Sequence, residues 1–63
     1  MSDHDVVKAM VLYGGGFVKA LAQAWYHADP ENQRRIKAAF PDVWTDYAEM
    51  ARLHVENRTE GRR

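Results

Sequence analysis

The chain has 63 residues, with nine basic and nine acidic side chains, seven aromatics and no cysteine. That length allows one domain with a thin margin of stability, because chains this short bury only about 60% of their unfolded surface. Balanced charge withholds the electrostatic footprint of a dedicated duplex binder, and the lack of cysteine excludes disulfide staples and thiolate metal sites.

The opening Met1-Ser2-Asp3-His4-Asp5 is acidic where a secretory signal is basic. Ser2 or Asp3 can cap a helix, with Asp5 in its first turn favouring the positive end of the dipole. The longest apolar run, Ala9 to Val18, lies between Lys8 and Lys19, about half the length that spans a bilayer. A soluble, cytoplasmic chain with no membrane contact is expected.

Val7, Val11, Gly14, Val18, Leu21, Trp25 and Ala28 follow at alternating steps of four and three, the helical period, straight across Gly14-Gly15-Gly16. Holding all three glycines helical costs about 3 kcal/mol relative to alanine. One reading is a helix from Asp5 to Tyr13, a hinge, and a new helix from Phe17 with Gly16 as its cap. Another is a continuous, kinked helix whose small residues Gly16, Ala20, Ala24 and Ala28 let a second helix approach closely. A phosphate cradle lacks the spaced glycines, the Lys-Ser/Thr and the preceding strand it needs.

Asp29-Pro30-Glu31 closes this helix and starts the next, with Asp29 as N-cap, Pro30 at the first helical position and Glu31 paired to Arg35. Ile36, Ala39 and Phe40 form its inner face, and Pro41 ends it. The last helix carries the stripe Trp44, Tyr47, Ala48, Ala51 and Val55, with Asp46, Glu49, Arg52 and Glu56 mostly opposite. The expected fold is all-α, a small hairpin or bundle of three main helices over about 5–28 (with a break or kink at 14–16), 30–40 and 42–57. Residues 1–57 form one domain, and 58–63 a flexible tail.

Catalysis has little to draw on. Ser2 and Thr59 lie near the chain ends, and no nucleophile–base pair stands out. His4, His27 and His54 lack metal-ligand spacing. No enzyme activity, metal or cofactor is expected. An unstapled core this small favours a second copy, so a homodimer is expected, built on Gly16, Ala20, Leu21, Ala24 and Ala28. Trp25, Phe40, Trp44 and Tyr47 can fill the core. Tyr13, Phe17 and Tyr26 are left for an exposed surface that binds a protein partner. The competing reading is a helix-turn-helix-like DNA-binding regulator, with the Phe40-Pro41-Asp42 corner and Arg34, Arg35 and Lys37 as contacts. Asp42, Asp46 and Glu49 on its recognition helix would repel phosphates, so nucleic acid is not the expected partner.

The blocks YGGGFVKALAQAW, ADPENQRRIKAAFPDVW and DYAEMA, covering Tyr13 to Ala51, resemble small helical proteins encoded by tailed phages and prophages. The shared pattern is a YG-small-small-FV-x-AL block, an AD-x-x-N turn and an FP-x-x-W/Y-x-x-Y corner. The resemblance implies a phage accessory protein in the cytoplasm of a bacterial host. Such proteins often bind and inhibit a host or defence protein, which implies a partner of host or phage origin here. It brings no catalytic or binding residues with it.

Overall fold

The computed structural model describes the backbone of residues 2–60 and the side chains of residues 2–53. Four helices follow one another: α1 (Asp3–Tyr13), α2 (Gly16–His27), α3 (Pro30–Ala39) and α4 (Pro41–Glu60). The expected three become four because the glycines break the first helix in two. The side chain of Val55, and residues 61–63 of the expected tail over 58–63, lie outside the described residues. The backbone of 58–60 belongs to α4.

Each start has a local cause. Ser2, not Asp3, caps α1 through a capping box, in which its hydroxyl accepts from the Asp5 amide while the Asp5 carboxylate accepts from the Ser2 amide. Two orphan donors are satisfied at once, and the helix begins two residues earlier than periodicity alone suggests. Asp29 caps α3 by accepting from the Asn32 amide at 2.8 Å, with Pro30 at the first position as expected. Glu31 and Arg35 pair at 3.2 Å on its exposed surface.

The glycines play separate parts. Gly14 and Gly15 adopt extended backbone, Gly15 is the N-cap of α2, and Gly16 is its first helical residue. A Cβ at Gly14 would lie 2.5 Å from the Met10 carbonyl oxygen and 2.6 Å from Val18 Cγ1, whereas one at Gly15 or Gly16 would meet nothing within 4 Å. Only the first glycine is demanded by packing. Gly16→Ala is accordingly expected to raise stability by up to about 1 kcal/mol, since it removes backbone freedom from the unfolded chain at an open helical site. A urea midpoint at or below that of the wild type would contradict this.

α1 and α2 form an antiparallel hairpin, shown by the edge-on contact of His4, near the start of α1, with Tyr26, near the end of α2. α1 packs most extensively on α4, and their starts lie together where Trp44 Nε1 donates to Asp3 Oδ1 at 3.1 Å. The core is Val6, Val7, Met10, Ala22 and Trp44, with Val18, Leu21, Trp25, Ile36, Val43, Tyr47 and Ala48 packed against it. Val11 is exposed and Val6 and Met10 are buried, which corrects the predicted stripe in α1. The buried face of α1 is centred on Met10 between Val6 and Val7, so Val11 falls beyond its edge, while Val18, Leu21 and Trp25 on α2 pack inward as the period predicts. Ala39 is exposed as well, leaving Ile36 as the main inward anchor of α3.

Candidate functional site

Helix α2 presents three faces. Val18, Leu21, Ala22 and Trp25 point to the core. Gly16, Ala20 and Ala24 are exposed and, at 3.6 residues per turn, share the outward side. Two other members of the expected self-association set sit elsewhere. Leu21 is half-buried against the core, and Ala28 is the C-cap beyond the last turn, in extended backbone. The outward ridge is thus Gly16, Ala20 and Ala24.

Tyr13, Phe17 and Tyr26 are 51%, 61% and 47% exposed. They do not form one patch. Tyr13 and Phe17 flank the glycine connection at one end of the hairpin, and Phe17 meets Phe40 edge-on with ring centres 5.6 Å apart. Tyr26 lies at the other end, against His4 and Trp25. Nine positions separate Phe17 from Tyr26, which at 3.6 residues per turn puts them about half a turn apart, on opposite flanks of α2.

The sequence reading missed the apolar side chains around the first pair. Val11 and Leu12 are exposed beside Tyr13, so four of the seven large exposed apolar side chains among the described residues fall between positions 11 and 17. The other two unforeseen ones, Met50 and Leu53, lie on α4. The run Val11-Leu12-Tyr13 offered a signal, because three consecutive residues of a helix cannot all face one core.

The basic cluster is partly committed. Arg35 pairs with Glu31, and Lys37 Nζ lies 2.9 Å from Asp3 Oδ1. Arg34 is exposed and has no acidic partner among the described residues. On α4, Asp42, Asp46 and Glu49 are exposed, and Glu49 pairs with Arg52. Asp3 joins α1, α3 and α4, since one carboxylate oxygen accepts from both Lys37 and Trp44. The hydrogen bond from Lys37 holds this carboxyl below the usual range, helped by the Trp44 indole and opposed by partial burial. The Ser2 cap likewise depresses Asp5, and Arg52 depresses Glu49.

These directions fix the sign of an acid response. A carboxyl with a depressed folded pKa binds fewer protons folded than unfolded, so its stabilisation is present above the unfolded value, about 3.9 for Asp and 4.3 for Glu, and is lost as pH falls through the folded one. All three carboxylates are substantially solvent-exposed, so the loss is modest. Stability is expected to fall as pH drops below about 4, with a shallower fall in Asp3→Asn. Denaturant midpoints measured across that range check it, and equal slopes in the two proteins would contradict the Asp3 contribution.

Among the described residues, no three His, Cys, Asp or Glu side chains are grouped to hold a metal ion, and the side chain of His54 lies outside them. No helix among them is long and apolar enough to cross a membrane. No family model, curated protein or solved structure matches the chain.

Proposed function

We propose that this chain is a small non-catalytic helical module that binds another protein and self-associates through the outward face of α2. Its cellular setting, on the strength of the resemblance, is that of a phage or prophage accessory protein acting on a host or phage protein in the bacterial cytoplasm, as an inhibitor or adaptor. The observation that carries the binding role is the crowding of Val11, Leu12, Tyr13 and Phe17, all exposed, at the α1–α2 connection. Large apolar side chains left exposed around one connection favour an interaction site, and aromatic anchors concentrate binding energy.

Self-association draws on a separate feature. Gly16, Ala20 and Ala24 are exposed, unbranched and in register along one side of α2, so a second helix can approach the backbone closely. Ala24→Leu is expected to convert a dimer to a monomer by steric clash while leaving the core intact. Sedimentation equilibrium of the wild type and the variant tests this, and an unchanged mass would remove the ridge from the interface.

The DNA-binding alternative has less to draw on. Arg35 and Lys37 already serve ion pairs within the chain, leaving Arg34, while exposed Asp42 and Asp46 lie on the helix that would enter the groove. Binding of that kind would be strongly salt-sensitive.

A further inference from the structure

A cleft of about 390 Å³ opens between the end of α2, the first turns of α3 and the start of α1, lined by Asp3, Trp25, Pro30, Gln33, Arg34 and Lys37. Its size falls at the small end of ligand sites, roughly 300–1,000 Å³. Most of its polar groups are already engaged. Gln33 Nε2 donates to the Trp25 carbonyl at 3.0 Å, which caps the end of α2. Lys37 and Asp3 neutralise each other at 2.9 Å, and Asp3 also accepts from Trp44. The Asp29 carboxylate occupies the start of α3 through the Asn32 amide.

Among the described residues, what remains in the lining is one cation without an ion-pair partner, Arg34, beside Trp25 and Pro30. The three charged lining residues sum to one net positive charge. A polyanion or a phosphate dianion asks for two or more free cations, and a neutral ligand leaves the guanidinium unused. The guanidinium fork matches a carboxylate bidentately, and a flat apolar body suits an indole and a proline ring.

We infer that this cleft is a binding site for a small aryl carboxylate, with the ligand's carboxylate on Arg34 and its ring against Trp25 and Pro30. The site is distinct from the exposed aromatics at the α1–α2 connection and stands whether or not that surface binds a protein.

The hairpin supplies an internal control: Trp25 lines the cleft, while Tyr13 and Phe17 lie at the opposite end of α1 and α2. Titrating the full chain with indole-3-acetate, followed by amide and indole proton–nitrogen correlation spectra, is expected to shift the Trp25 indole and the Glu31, Gln33 and Arg34 amides in a saturable way. The Leu12, Tyr13 and Phe17 amides, at the other end of the α1–α2 hairpin, should hold their positions. Neutral indole-3-acetamide is expected to bind about tenfold more weakly, the worth of one charge-assisted pair. Arg34→Gln, a change at an exposed and unpaired side chain, should leave the rest of the spectrum in place and abolish the difference between acid and amide. The proposal is overturned by equal binding of acid and amide to the wild type, by unchanged acid binding in Arg34→Gln, or by no saturable shift up to about 10 mM.

Discussion

Gly14→Ala is expected to cost about 1–3 kcal/mol, the range for forcing atoms into a well-packed site. The added methyl would sit 2.5 Å from the Met10 carbonyl oxygen and within 2.8 Å of both Val18 Cγ1 and Cβ. Neither neighbour can yield cheaply. The Met10 carbonyl also accepts from the Gly14 amide at 2.9 Å and so terminates α1. Val18 is stiff at its branched carbon and packs on the core. Relief requires α2 to move off α1, which opens the contact around Val7, Met10 and Ala22. Gly15→Ala meets no atom within 4 Å and is expected to cost about 0.5–1 kcal/mol, because alanine is a poorer N-cap than glycine. Urea midpoints for Gly14→Ala, Gly15→Ala and Gly16→Ala together give the check. The largest loss at Gly14, a smaller one at Gly15 and none at Gly16 support this division, and equal effects at all three sites contradict it.

Trp44→Ala is expected to cost about 3–5 kcal/mol, the usual range for deleting a buried aromatic. Trp44 is only 6% exposed, belongs to the central cluster, and its indole holds the Asp3 carboxylate at the junction of α1, α3 and α4. A chain this small has a total stability of about 3–9 kcal/mol at the typical value per residue. The variant is therefore expected to lose about half or more of its stability, with its urea midpoint falling in proportion. Trp44→Phe keeps most of the apolar volume and removes the indole donor, so its loss should be nearer 1 kcal/mol plus a small cavity term. Far-UV circular dichroism during urea titration separates the two. A cooperative wild-type-like transition in Trp44→Ala would show that the cluster does not depend on this side chain.

Much of the fold was legible wherever a local rule applied. Asp29-Pro30-Glu31 announced the start of α3 through cap, proline and dipole, and Pro41 opened α4 where the chain could no longer continue α3. Trp44, Tyr47, Ala48 and Ala51 face inward in the predicted register. Periodicity named Val7 in α1 and Val18, Leu21 and Trp25 in α2 correctly, but a single four-three stripe is narrower than the buried face of α1, which is centred on Met10. Val11, at the edge of that face, was placed inside, and Val6 and Met10 were overlooked.

The candidate surfaces were legible only in outline. A surplus of aromatics over the available core pointed to exposed Tyr13, Phe17 and Tyr26, and all three are exposed. Their division between two ends and two flanks depends on how α1, α2 and the α3–α4 corner meet, through His4 and Phe40. Asp3 showed the same limit. As a residue it reads as a cap, yet its partners Lys37 and Trp44 lie 34 and 41 positions away. No local pattern records such a pairing.

The most direct measurement of the binding role is affinity capture from nuclease-treated host lysate with tagged wild-type protein and with Phe17→Ser, quantified by mass spectrometry. Phe17 is 61% exposed, so the variant should keep the fold, and circular dichroism verifies that first. One protein recovered near stoichiometrically with the wild type and lost with Phe17→Ser is the predicted result. Recovery of the bait alone, or equal capture by both proteins, would contradict a partner-binding surface at the α1–α2 connection.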